Sequence, residues 1–294
     1  MTAVTVIAPK PRPLQGKQVV AGQNHRRTLL LLLPLAAIFV LGFVLPLGFL
    51  LSYAFQSPDG AFTLESFATI FQTPQYAALI GRTLMLSLVT VLCSAVIGYP
   101  LALAIVRGPR AMRGLLLAIV TMPMLTSVVV KTFGWSVMLS STGPVQQALN
   151  TIGLSDVRLL FTPIGVTIGL VHTYFPFMVL SLISSIAAID RRTEEAAQSL
   201  GSGPLRVFWM ITLPQSIEGL MAGAALTFVT SMSALVTPQL LGGGRVTTIV
   251  TVIFQQATAG QNWSLAAALG VVLLLLTLII LFLQTLAVRR VLQR

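Results

Sequence analysis

The sequence predicts an all-α polytopic membrane protein with six transmembrane helices. Three observations carry that prediction. Of 294 residues, 55% are hydrophobic and only 9% are charged, far from the usage of soluble domains. Six apolar segments reach the roughly 20 residues that a helix needs to cross a bilayer. The basic residues gather in alternate gaps between those segments, as in a chain threaded back and forth through a membrane.

Residues 1–27 hold Lys10, Arg12, Lys17, Arg26 and Arg27, no acidic residue, and Pro9, Pro11 and Pro13, so they read as a disordered basic tail. A cleaved signal peptide needs a short apolar core, whereas the first apolar run begins at Leu29 and is long enough to span. The six spans cover roughly 29–55, 78–106, 114–139, 160–188, 215–240 and 264–288, which makes 28–294 one transmembrane domain. Fourteen of the eighteen Lys and Arg residues lie in the tail, the second and fourth gaps and the C-terminus. The remaining gaps carry Asp59, Glu65 and Asp156 with Arg158 and Arg245 alone. Excess positive charge marks the cytoplasmic side, so both termini and the gap at 190–214 are expected there. The net charge of +11 does not point to nucleic acid, because the basic residues sit at span ends and not among aromatics on one face. Membrane lipid is the expected surrounding.

The spans differ in kind. The sixth is almost wholly aliphatic after Leu269, as suits a lipid-facing helix. The fifth carries Gly219 and Gly223 at the GxxxG spacing that lets another helix approach closely. Thr227, Thr230, Ala234 and Thr237 fall on one face at helical spacing, a face that either lines a polar path or bonds back to its own carbonyls. Pro34, Pro46, Pro100, Pro123, Pro163 and Pro176 are sources of kinks. Lys131, an intramembrane charge, lies about 16 residues into the third helix, some 24 Å from its cytoplasmic end. It either reaches outward beside Trp135 to the interface or lines a translocation path. Glu218, at the start of the fifth helix, is explained by the helix dipole.

Several chemistries are excluded. No G-x-x-x-x-G-K-[ST] motif is present to cradle a nucleotide, and Gly16-Lys17-Gln18 fails at both ends. Cys93 has no second cysteine, and His25 and His172 are too isolated for a metal site. His172 is expected to hydrogen-bond to a neighbouring helix and not to relay protons. With no paired carboxylates in the spans, no catalytic residue is expected in this chain.

One polar stretch has helical order. Asp190 is a good N-cap, Glu194 and Glu195 follow in the first turns where carboxylates complement the dipole, and Gly201 reads as the stop. A short helix over 191–200, about 15 Å long, follows from this. A second helix opens at Pro204, with Leu205, Phe208 and Trp209 on one side, and Pro214 closes it. An amphipathic interfacial helix is the plain alternative, but it wants bulky apolar residues where Ala196, Ala197 and Gly201 stand.

The same stretch resembles the EAA signature of permease subunits of binding-protein-dependent ABC importers of the type I fold. That pattern is E-A-A, three residues, G, nine residues, I-x-L-P, and here it reads Glu195-Ala196-Ala197, Gly201 and Ile211-Thr212-Leu213-Pro214. The likeness runs from the second span to the C-terminus and is nearest the spermidine/putrescine-type branch. Lys131-Thr132-Phe133-Gly134-Trp135 resembles that branch's arginine-Thr-aromatic-x-Trp segment, with Lys for Arg, and Tyr174-Phe175-Pro176-Phe177-Met178 its aromatic-Leu-Pro-Phe segment. Val236-Thr237-Pro238-Gln239-Leu240-Leu241-Gly242-Gly243 resembles its V-T-P-x-L-L-G-G, although Ser233-Ala234-Leu235 departs from the Gly-x-Phe that commonly precedes it.

The resemblance implies that the short helix is a coupling helix, with Arg191, Arg192, Glu194, Glu195, Ala196, Ala197, Gly201, Leu213 and Pro214 engaging a separate ATPase. ATP and magnesium would sit on two such ATPase subunits, and none of this chain's residues would bind a cofactor. A second permease subunit, identical or homologous, and an extracytoplasmic solute-binding protein docking near 56–77, 140–159 and 241–263 complete the implied assembly in a bacterial inner membrane. The implied cargo is polyamine-like or amino-acid- or opine-like, with Lys131, Trp135, Thr227, Thr230 and Thr237 as candidates to line its path. An ion-coupled carrier and a non-transporting membrane scaffold are the rival readings.

Overall fold

A computed structural model describes residues 33–57 and 60–292, so the predicted tail at 1–27 lies outside the described residues. The chain divides after Leu50 into two units. Among the described residues no strand forms, and the only β-pairing is a single bridge between Gln56 and Phe62.

Four helices are individually long and apolar enough to cross a membrane: α1 (Leu33–Ala54), α3 (Pro74–Arg107), α7 (Pro163–Ala188) and α13 (Trp263–Leu292). The third and fifth predicted spans are not straight. Each is a pair, α4 (Arg110–Leu125) with α5 (Val128–Met138), bent by 102°, and α10 (Ile217–Met232) with α11 (Val236–Gly242), bent by 61°. Counting each pair as one span gives six. The apolar runs were long enough because two short helices and the break between them are all apolar, and composition averages over the break.

The predicted gaps hold structure of their own. α2 (Glu65–Gln72), α6 (Pro144–Thr151) and α12 (Ile249–Thr258) are short helices at the end of the bundle remote from 190–214. Thr248 caps α12 with a reciprocal pair of bonds to Thr251, a threonine version of the capping box. The 190–214 stretch forms α8 (Arg191–Ser199) and α9, residues 204–215.

Within the second unit, α3, α7 and α10 pack against one another, while a separate buried cluster joins Ile70 of α2 and Ile249 of α12 to Leu265, Ala268 and Leu269 of α13. Near the α8 end, Tyr99, Ala102 and Ile105 of α3 meet Met178, Leu182 and Ile186 of α7. Towards the opposite end, Leu86 joins Val166, Leu170, Ala234 and Leu241. The GxxxG spacing does what the sequence predicts. A Cβ on Gly219 would stand 2.3 Å from the Ser185 Cβ, which rules out any side chain there, and one on Gly223 would stand 3.0 Å from the Met178 Cα, so α10 lies against α7 at a distance that glycine permits. The Gly219 N–H also donates to the Ser185 hydroxyl at 3.3 Å.

Prolines are accommodated in two ways. Ahead of Pro46 and of Pro214 the helix widens into a π-turn, at Val40–Val44 and Phe208–Thr212, so that the leucine before each proline donates five residues back, Leu45 to Val40 and Leu213 to Phe208. A proline lacks the N–H for its own bond and crowds the carbonyl four residues earlier, and the wider turn relieves both. Pro100 and Pro176 instead lie inside long helices.

Candidate functional site

α8 is closed at both ends by the residues the sequence nominated. The Asp190 carboxylate accepts from the Arg192 N–H at 2.9 Å. At the other end the Ser202 N–H donates to the Ala197 carbonyl at 3.1 Å and the Gly201 N–H to Gln198 at 2.9 Å, with Gly201 at φ +88°, which is the Schellman closure. The helix ends at Ser199, one residue short of the predicted span.

Adjacent glutamates on this helix have opposite surroundings. Glu195 is 61% exposed and pairs with Arg191 one turn earlier at 3.1 Å, so the two charges expected to meet a partner meet each other on the surface. Glu194 turns into the bundle. Its side chain is 13% exposed, and its Oε1 lies 3.1 Å from the Arg107 Nη2 while accepting the Thr212 hydroxyl at 2.8 Å. Grouped by sequence with the outward coupling residues, Glu194 is an internal anchor, because a carboxylate one position along a helix points some 100° away. Arg107, the C-terminal residue of α3, reads in the sequence only as a basic residue of the second gap, beside Arg110 and Arg113. Nothing local links it to a glutamate so far along the chain.

Ala196 and Arg192 are exposed and Ala197 is half-buried. Around them stand exposed apolar side chains: Leu200, 88% exposed, with Leu205, Trp209 and Met210. Phe208 does not share their side, as the helical spacing had implied. It packs edge-on against Tyr99 with ring centroids 5.1 Å apart, while Val207 and Thr212 are buried. Nor does Pro214 end the helix. The π-turn carries the chain past it to Gln215, Leu213 is half-buried against the core, and Pro214 itself is exposed.

The broken spans bring the other candidate residues together. The 102° bend lies ahead of Lys131, so the residue does not stand about 24 Å along a single helix axis. Its ammonium donates to the Pro123 carbonyl at 2.6 Å, across the break, satisfying one of the acceptors that a helix end leaves open. The buried Thr132 and Thr237 hydroxyls lie 3.2 Å apart and join α5 to α11. Because α10 stops at Met232, Thr227, Thr230, Ala234 and Thr237 do not form one continuous face. Thr230 bonds back to the Leu226 carbonyl at 2.6 Å, whereas the buried Thr227 hydroxyl has no hydrogen-bond partner. Trp135 meets His172 edge-on at 5.6 Å, and the buried Nδ1 of His172 lacks the hydrogen bond expected of it. Both line an apolar cavity of about 340 Å³ together with Cys93, Ile97, Val171 and Phe175. Among the described residues, no three His, Cys, Asp or Glu side chains come together as metal ligands.

Residues 94–293 match the family model described as binding-protein-dependent transport system inner membrane component. The chain belongs to this family. The spermidine/putrescine transport system permease protein of Haemophilus influenzae is 30% identical over 247 residues, which cover 81% of this chain and 86% of the relative. Its counterpart in Escherichia coli strain K12 is 33% identical, covering 72% and 78%. A putative 2-aminoethylphosphonate transport system permease protein of Salmonella paratyphi A is 24% identical over 91% of this chain and 93% of its own length. In fold, the chain superposes on a bacterial ABC transporter involved in import of the acidic polysaccharide alginate with a TM-score of 0.76 at 24% identity, covering 91% and 97%. A methionine ABC transporter in inward-facing conformations gives 0.57 at 19% identity, covering 73% and 95%. The chain is thus an inner-membrane permease subunit of the binding-protein-dependent ABC importers with the type I fold, and membership of this family sets aside the ion-coupled carrier and the scaffold. The matched region begins inside α3 and takes in α8, α9 and both broken spans, so every candidate residue named above lies within the permease family's common part.

Proposed function

We propose that this permease moves a small solute, handed over by an extracytoplasmic binding protein, and that residues 190–214 receive the movement of separate ATPase subunits. One observation carries the reading. α8 contains no buried residue, is closed at both ends by its own caps, and presents small Ala196 beside Glu195, with Leu200, Leu205 and Trp209 exposed around it. A capped helix with small residues on its open side and apolar residues at its margin fits a groove on another protein. Such a surface is costly to leave in water.

The expected assembly has this permease, a second one identical or homologous to it, and two ATPase subunits that hold ATP and magnesium. The 190–214 loop and both termini would face the cytoplasm, in keeping with the distribution of Lys and Arg. Arg191, Arg192 and Glu195 would supply charge pairs at the rim of the docking surface, and Gly201 the turn that lets α8 stand apart. Closure of the ATPases would then rock the spans between inward-open and outward-open states as rigid bodies.

Cargo is proposed to be polyamine-like or amino-acid- or opine-like, and the spermidine/putrescine relatives support the first. The path is proposed to run by the broken spans, past Lys131, Trp135, Thr227, Thr230 and Thr237. Interrupted helices leave polar backbone groups at membrane depth, and these are tolerated where they line a cavity or are buried in protein.

Glu195→Arg together with Gly201→Val tests the coupling. In cells carrying the whole transporter, the double variant should insert normally yet no longer co-purify with an ATPase or accumulate labelled putrescine or spermidine. Retention of the ATPase by the double variant would overturn the coupling role of the loop. Failure of the unaltered transporter to take up either polyamine, with the ATPase bound, would remove only the polyamine assignment.

A further inference from the structure

α8 holds to the bundle without a buried side chain, so its attachment is polar. The attachment converges on Glu194. A single carboxylate oxygen lies 3.1 Å from the Arg107 Nη2, an ion pair held by charge and not by hydrogen-bond geometry, and accepts the Thr212 hydroxyl at 2.8 Å. The Thr212 carbonyl in turn accepts the Ser216 hydroxyl at 2.8 Å, and Ser216 hydrogen-bonds to the Tyr99 hydroxyl. Tyr99 and Arg107 both belong to α3, eight residues and so about 12 Å apart along its axis. The loop therefore bears on the last turns of α3 at two points, one of them ionic.

From this geometry we propose that Arg107 is a positioning residue for energy coupling: through Glu194 it locks α8 to the end of α3, so that a displacement of α8 is delivered to α3. The proposal rests on the reading of 190–214 as the receiver of that displacement. The physical reason for the lock is the cost of separating the pair. Arg107 and Glu194 side chains are 22% and 13% exposed, and parting them would leave two poorly hydrated charges, whereas the exposed Arg191–Glu195 pair can exchange for water at little cost. Force on α8 thus finds a stiff connection inward, whereas the Arg191–Glu195 pair lies within α8 and ties it to nothing else.

The protein carries its own reporter of α3. Cys93 is the only cysteine in the chain, lies in α3, and lines the cavity beside Trp135 and His172. The test follows its labelling rate with N-ethylmaleimide in the complete transporter, purified through a tag on this chain, with and without trapping by ATP and vanadate. In the unaltered protein trapping should change the rate about fivefold or more, as sites coupled through one transition do. In Arg107→Gln, with the ATPase still bound and hydrolysing ATP, the ratio should fall to about 1, and Arg107→Lys should keep much of the change.

An unchanged rate in the unaltered protein, or an Arg107→Gln protein that keeps the full change, would overturn the proposal. If Arg107→Gln loses the ATPase altogether, the reversed pair Arg107→Glu with Glu194→Arg decides: restored binding and restored trapping response support the lock, and their absence overturns it. Absence of any ATPase from the unaltered preparation is a separate result and counts against the coupling reading itself.

Discussion

The two ends of the α3–α7 pair are built on opposite principles. At the α8 end, a helix with no buried residue is held by a short chain of polar groups, Arg107, Glu194, Thr212, Ser216 and Tyr99. Further along, two broken spans meet through packed apolar residues and a single pair of hydroxyls, Thr132 and Thr237. The first arrangement fixes a surface element by charge and direction, so it can be pushed without being pulled apart. The second fixes helix fragments by shape, with few directional bonds to hold any one arrangement against another. The proposed transmission of movement at one end and change of packing at the other would be served by that contrast.

The comparison can be broken most forcefully at the seam on which both ends depend. Gly219→Leu places side-chain atoms where a Cβ alone already stands 2.3 Å from Ser185 and 2.7 Å from the Ser181 carbonyl. A loss of about 3 kcal/mol is expected, seen as a lowered melting temperature and poor recovery of folded protein in detergent. Next come the two inward-turned charges. Glu194→Gln should cost about 1.5–3 kcal/mol because it weakens a charged hydrogen bond, and Lys131→Met about the same because it exposes the Pro123 carbonyl at the break. If Lys131→Met also leaves polyamine uptake intact, its part is structural and the path runs elsewhere.

Gly201→Ala separates backbone from packing. Nothing lies within 4 Å of the added Cβ, so the expected penalty of about 1–2 kcal/mol comes from φ +88° alone and should appear as lost helicity of α8 in hydrogen exchange. At the broken spans, a double-mutant cycle of Thr132→Val and Thr237→Val should return a coupling of only about 0.6 kcal/mol, typical of hydroxyl pairs between membrane helices. The smallest effect is reserved for Glu195→Gln, within about 0.5 kcal/mol, because its partner Arg191 is exposed and on the same helix. Near-equal losses at Glu194 and Glu195 would erase the distinction between anchor and surface.

What could be read from the sequence follows the range of the interaction. Asp190, Gly201 and the glycines at 219 and 223 act over one turn or through an absent side chain, and all four were legible. Six apolar runs were legible as spans, because burial in lipid leaves its mark on composition. The bends were not. Pro123 announced a kink but not a 102° turn three residues later, and 233–235 carries no proline or glycine at all. The partnership of Arg107 with Glu194 was invisible for a different reason: both residues already had a sufficient local explanation, one as a topogenic charge and the other as a helix-dipole partner.

The π-turn ahead of Pro214 gives the signature's fixed spacing a meaning of its own. A π-turn adds one residue to a helical coil, so every side chain beyond it is rotated by about 100° relative to an unbroken α-helix. Beyond the turn, that rotation sets the side on which Ser216 meets Tyr99. The nine residues between Gly201 and Ile211 therefore act as a phase setting, and a one-residue deletion there would turn the helix like a key in the wrong notch, with every residue of the signature still present and the anchor facing away.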